Sequence, residues 1–169
     1  MKSALVVVIA VLISGCATPG TSEQRSLQSE WDSSSARRIF EVGANSLKGN
    51  AFMRQKGGGV VTCAGQTVTL IPVTSYAIER MNVLYGGGES GFHRGRNIQF
   101  NPNPSEYYTM TKTTKCDSQG NFVYEAIADG EYYVTLKVQW YVDHSPQGGN
   151  LMQRVRLTGG KQVNVIMSA

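Results

Sequence analysis

The chain has 169 residues, 41% of them apolar, which is enough to bury one real core and too little for several. Its 16 basic and 12 acidic side chains leave a formal net charge of +4, and no basic run is interleaved with aromatic residues. That pattern argues against a nucleic-acid surface and leaves attraction to anionic lipid or to an acidic partner.

At the start, Lys2 precedes an apolar stretch from Ala4 to Ile13 that is far too short to cross a bilayer as a helix, and the small residues Ser14 and Gly15 follow. This is the pattern of a secretory signal. Closing on Ile13, Ser14, Gly15 and Cys16, it resembles the bacterial lipoprotein signal peptide. The resemblance implies that residues 1–15 are removed, that the Cys16 sulfur receives a diacylglyceryl group, and that the new amino terminus is acylated with palmitate-class chains. Each buried CH₂ gains about 0.8 kcal/mol, so several chains make a permanent anchor. In the same family Ala17, where an Asp would direct retention in the inner membrane, implies the periplasmic face of the outer membrane. An ordinary secretory signal and a buried structural thiol are the alternatives.

Residues 16–43 contain ATPGTSEQRSLQSEWDSSS, polar and Ser-rich, and read as a tether. About twenty flexible residues reach roughly 25 Å. Leu27 and Trp31 sit four apart, so a short amphipathic helix can form when a partner supplies its other face. A disordered linker with an incidental Trp is the alternative, and Trp31 is the first candidate for docking.

From Ala44 onward, short apolar strands alternate with Gly- or Asn-rich turns, which predicts an all-β fold, an antiparallel sandwich of about seven strands over 44–169. GNAFMRQ and VVTCAGQTVTLIPVT read as two strands joined across Gly57, Gly58 and Gly59. Between 74 and 106 the pattern lapses into an insertion loop. TSYAIERMNVLYGGG offers one or two helical turns carrying Tyr76, Ile78, Met81 and Tyr85, ended by glycines. ESGFHRGRNIQFNPNP follows, with Phe92, His93, Arg94 and Arg96. Long insertions of this kind are often binding loops, with idle flexibility as the alternative.

In EYYVTLKVQWYVD, Val134, Leu136, Val138, Trp140 and Val142 share one face, which predicts Trp140 in the core. Pro146, Gly148 and Gly149 mark a turn, and NLMQRVRLT with QVNVIMS reads as a closing hairpin across Gly159 and Gly160. Of three cysteines, Cys16 goes to lipid, so in an oxidising compartment Cys63 and Cys116 are expected to pair. Reduced core thiols and half of a metal site are the alternatives. No CxxC occurs, and only His93 and His144 offer imidazole, so neither a metal nor another cofactor is expected.

TKCDSQGNFVYEAIADGEYYVTLKVQW, with the earlier GNAF and VTLIP, resembles the carboxypeptidase regulatory-like, or prealbumin-like, sandwich domain of exported bacterial proteins. The matching positions are Asp117, Gly120, Phe122, Gly130 and Tyr132, within residues 44–142. The resemblance implies an immunoglobulin-like sandwich and no peptidase activity, because the metal and catalytic groups of carboxypeptidases belong to a separate domain. The residues agree: Asp117 can cap a tight turn, Gly120 accepts positive φ, and Phe122 enters the core.

Catalytic patterns fail on inspection. Asp143, His144 and Ser145 have the residue types of a hydrolytic triad, but neighbours along a strand face opposite ways. Gly86, Gly88 and Gly91 spell GxGxxG without the strand and helix a dinucleotide needs. The expectation is a non-catalytic, membrane-anchored lipoprotein that binds an envelope protein as a scaffold piece. The alternative is a glycan or peptidoglycan binder using Tyr76, Tyr85, Phe92 and the pair Arg94 and Arg96.

Overall fold

The computed structural model describes residues 22–95 and 97–169, so the expected signal 1–15, the lipidation residue Cys16 and the candidate Arg96 lie outside the described residues. In chain order the elements are β1 (Glu23–Ser26), α1 (Ser33–Ala36), a 3-10 turn (Arg37–Phe40), β2 (Val42–Arg54), β3 (Val60–Thr62), β4 (Thr67–Pro72) and α2 (Ser75–Tyr85). Then follow β5 (Ser90–His93), β6 (Ile98–Asn101), α3 (Glu106–Thr109), β7 (Lys112–Lys115), β8 (Asn121–Ile127), β9 (Gly130–Val142), β10 (Ser145–Leu157) and β11 (Gln162–Ser168).

Two sheets face each other. In one, β2 is flanked by β11 on one side and by β8 and β3 on the other; in the second, the order is β5-β10-β9-β4-β7. Alternation along each strand sends one set of side chains inward. Leu47, Ala51 and Met53 of β2, Phe122 and Tyr124 of β8 and Met167 of β11 meet Val68 and Leu70 of β4, Val134, Leu136 and Val138 of β9, and Leu151, Val155 and Leu157 of β10. This is the all-β sandwich expected from the alternating pattern. Cys63 and Cys116 are joined, tying the end of β3 in one sheet to the end of β7 in the other.

The turn motif works as its chemistry requires. The Asp117 carboxylate accepts from the backbone N–H groups of Gln119 and Asn121, at 2.9 and 2.8 Å. Gly120 takes φ +83°, and Phe122 is buried under β2. At the β8–β9 corner the buried Tyr132 hydroxyl donates to the carbonyl of Ala128 at 3.0 Å, which fixes the bend that Gly130 opens. Asn45, fully buried, closes the same end by donating to Ile127 O and Asp129 Oδ1 and accepting from Lys161 N.

Several local expectations change. The described residues hold eleven strands, β1 of them ahead of residue 44, against about seven expected over 44–169; one of the added strands arises because VVTCAGQTVTLIPVT breaks at Cys63 into β3 and β4 of different sheets. The β9–β10 turn falls at Asp143 and His144, both at positive φ as a two-residue hairpin demands, and not at Gly148 and Gly149. Those glycines lie inside β10, where a Cβ on Gly149 would come within 2.3 Å of the His93 carbonyl on β5. β11 does not return as a hairpin on β10; it crosses to the other sheet and pairs parallel with β2. Trp140 is half-buried at the margin of the core, and Val142 is exposed, because β9 outruns the sheet that covers it.

The expected tether 16–43 is also revised from Ser22 onward. β1 pairs parallel with β6, and Leu27, Ala36 and Ile39 are buried. Leu27 and Trp31 do share a packing surface, but through an extended chain and a bend, without a helix. They belong to a third layer, in which α2, β1, β6 and α3 cover the outer face of the five-stranded sheet around Ile71, Tyr76, Met81, Phe100, Tyr107, Tyr133 and Met152. The Glu79 carboxylate on α2 holds this segment by accepting from the backbone N–H groups of Gln28 and Ser29.

Four carboxylates in this scaffold sit below their ordinary values, Asp32, Glu79, Asp117 and Glu131, the last through hydrogen bonds from the Arg154 and Arg156 side chains. The Ser34 and Ser35 hydroxyls bring Asp32, which caps α1, from 3.8 to about 2. Backbone bonds from Gln28 and Ser29 lower Glu79, and the Asn121 side chain and backbone lower Asp117. A depressed carboxylate stabilises the fold fully above its unfolded value, 3.8 for Asp and 4.5 for Glu, and loses that stabilisation as pH falls through the folded one. Thermal midpoints are therefore expected to be flat from about pH 7 to pH 5 and to fall steadily toward about pH 2. A midpoint that rises on acidification would contradict this.

Candidate ligand cleft on the outer face of the sheet

The same alternation that builds the core leaves Thr67 and Thr69 of β4, Thr113 of β7, and Thr135 and Lys137 of β9 on the outer face. Register aligns them. Thr113, Thr69 and Thr135 stand directly opposite one another across three strands, and Lys137, Asn150 and His93 continue a second row across β9, β10 and β5. These residues floor a cleft of about 540 Å³.

The third layer supplies the walls. On one side is α2, started by Thr74, whose hydroxyl accepts from Ala77 N–H at 3.1 Å, and ended by Gly86 in the left-handed region. Its residues Arg80, Met81, Leu84 and Tyr85 line the cleft. On the other side are Ile98 and Phe100 of β6, Tyr107 and Tyr108 of α3, and Thr111. Burial raises the Tyr85 and Tyr107 phenols well above their ordinary range, so both stay protonated. The Tyr85 ring meets the His93 ring edge-on at 4.8 Å.

Arg80 is 8% exposed. Its guanidinium lies 4.2 Å from the Phe100 ring centre and 4.4 Å from that of Tyr107. It donates from Nη1 to the Tyr76 hydroxyl and Asn103 Oδ1, and from Nη2 to the Tyr108 hydroxyl at 2.6 Å. These bonds tie α2 to the 100–108 segment and fix the width of the cleft.

No protein-family profile matches the chain, and no curated protein matches it. Among solved structures, a Pseudomonas aeruginosa crystal structure described as a "putative carbohydrate binding protein" superposes with a TM-score of 0.67 at 19% sequence identity. The match covers 83% of this chain and 99% of that one. The two share a fold.

The candidate residues read from the sequence do not form one site. Tyr85 and His93 reach the cleft. Phe92 and Arg94 point to the opposite side of β5, toward Trp140, because strand neighbours alternate. Tyr76 is fully buried, its hydroxyl donating to Pro102 O at 2.8 Å, so it carries the wall without offering a surface. Trp31 packs edge-on against Tyr76 and Tyr107, each at 5.8 Å, and is thus docked on its own chain. His144, in the β9–β10 turn, is about six strand positions, roughly 20 Å, from the Asn150 that pairs with His93, so the two imidazoles do not meet.

Sequence reasoning missed Tyr107, Tyr108, Arg80 and the threonine rows. The threonines had a signal: TVT sets Thr67 and Thr69 two apart, and TKT sets Thr111 and Thr113 two apart. Tyr107 and Tyr108 follow the NPNP stretch and carry no periodicity that could have marked them.

Proposed function

We propose that this chain is a non-catalytic carbohydrate-binding lipoprotein of the cell envelope, held by acyl chains on Cys16 and presenting the outer cleft to a glycan. The observation that carries the reading is the composition of that cleft, with aromatic rings on its walls over a floor of threonine hydroxyls. A sugar ring has apolar C–H faces and a hydroxyl rim, so rings paired with fixed donors and acceptors suit it, whereas a protein-docking surface is broader and flatter. The description of the structural neighbour from Pseudomonas aeruginosa points the same way. The anchor rests on the Ile13-Ser14-Gly15-Cys16 pattern. Scaffolding of another envelope protein is the second reading, favoured by exposed apolar residues such as Tyr141 and Val142 at the tip of the β9–β10 hairpin.

Calorimetric titration of the mature protein with oligosaccharides tests this. Tyr108→Ala, which removes the more exposed of the two α3 rings, is expected to weaken binding by about ten-fold, equivalent to about 1.4 kcal/mol. Absence of binding to any oligosaccharide, together with crosslinking in cells to one membrane protein through the 141–142 tip, would replace the glycan reading with the scaffold.

A further inference from the structure

The lining of the cleft is one-sided in charge. Its ionic groups are Arg80 and Lys137, and it contains neither an Asp nor a Glu. Surface clefts usually mix both signs, and a buried cation is ordinarily matched by a carboxylate. Arg80 breaks that rule. More than nine-tenths of it is removed from water, and among the described residues no carboxylate pairs with it.

A guanidinium carries five N–H donors and cannot lose its proton in a protein. Three bonds are accounted for, all to neutral acceptors, and the buried Nε–H has no partner at all. The rings of Phe100 and Tyr107 relieve part of the cost of burial by facing the charge, but they do not neutralise it. Lys137 stands on the floor of the same cleft, exposed and in no ion pair among the described residues. An uncompensated buried cation and an exposed cation lining the same cleft leave it short of negative charge.

We infer that the cleft selects acidic sugars, with Arg80 and Lys137 as the specificity-determining residues that receive the carboxylate of a uronic-acid unit. The inference rests on the glycan reading above and narrows it. Stacking and hydroxyl contacts are common to neutral and acidic sugars; the two cations are what a neutral sugar leaves unused. A planar carboxylate matches the guanidinium's fork of donors, and a desolvated charge pair in a partly enclosed cleft is stronger than one at an open surface.

The experiment is a titration of the mature, full-length protein in detergent with trimers of galacturonate and of glucuronate, each compared with its methyl ester, which keeps the skeleton and removes the charge. At low salt the better acid is expected to bind at least about ten-fold tighter than its ester, with the advantage shrinking as sodium chloride is raised toward about 0.5 M. Lys137→Gln, an exposed change that leaves the packing of the third layer alone, is expected to cut the acid-to-ester ratio at least about three-fold. Arg80→Lys, which keeps the charge and loses the fork, should also lower the ratio, while Lys161→Gln, remote from the cleft, should not. Esters that bind as tightly as acids, or a ratio unmoved by Lys137→Gln, would overturn the selectivity and leave glycan binding standing. Failure of both acids and esters to bind overturns the glycan reading and this inference with it.

Discussion

Replacing Cys63 and Cys116 together by alanine is expected to cost about 4 kcal/mol of folding stability, the loop-closure value for a bridge spanning 53 residues. For a domain of this size that corresponds to a fall of about 8 to 16 °C in the thermal midpoint. The enclosed loop holds β4, α2, β5, β6, α3 and β7, and so includes both walls of the cleft. Releasing it therefore frees the unfolded chain and also loosens the connection between the two sheets at β3 and β7. Backbone bonds from Gly65 N to Cys116 O and from Cys116 N to Gln66 O hold the two segments even without the bridge, so the native fold should survive at room temperature. Calorimetry of the double variant beside the parent, with and without reductant, checks this. A change below about 1 kcal/mol would mean that the denatured chain keeps these segments together unaided.

Phe122→Ala is expected to cost about 3 to 5 kcal/mol, the range for deleting a buried aromatic side chain. The reason is local. Phe122 pairs with Gly49 across β8 and β2, and its ring occupies the space where a side chain at 49 would stand, since a Cβ there would meet the ring at 2.1 Å. The glycine leaves the ring a seat on the neighbouring backbone, and Gly49 itself has no side chain to fill that seat when the ring is gone. Phe122→Leu keeps most of the volume and should cost about 1.5 kcal/mol or less. Gly49→Val in the parent should destabilise by collision, yet do less harm in the Phe122→Ala background, where it refills the void. Chemical denaturation of the four proteins gives the coupling directly. Additive costs would show that the ring and the glycine do not depend on each other.

What could be read from the residues was the part that repeats locally. Val134, Leu136 and Val138 alternate without interruption, so their inward face was plain, and Asp117, Gly120 and Phe122 announce a turn followed by a buried strand. What could not be read was whatever depends on which strand lies next door. A Gly159-Gly160 bend looks the same whether the next strand folds back on β10 or crosses to run parallel with β2. Gly148 and Gly149 looked like a turn because close approach of β5 and a tight bend ask for the same missing side chain. The cleft was hidden for a similar reason. Its floor comes from the polar face of strands, ordinarily surrendered to solvent, and its walls come from a stretch that resembled an insertion. Tyr76, Tyr85 and His93 stand out in the sequence as aromatic or ionisable groups, but which of them carries the wall and which faces the cleft is decided by the pitch of α2 and the pleat of β5.

The pairing of β1 with β6 has a mechanical consequence. Ser22, the first of the described residues, is only six residues beyond Cys16, a span of at most roughly 20 Å when taut. Under the proposed lipidation of Cys16, the module would ride close against the headgroups. On the proposed anchoring and glycan binding, a pull between the membrane and a bound glycan would pass through four ladder positions, from Glu23 against Ile98 to Ser26 against Asn101, and Ile98 and Phe100 are themselves cleft wall. Under that proposal, tension on the mooring would be delivered first to the jaw that grips the load.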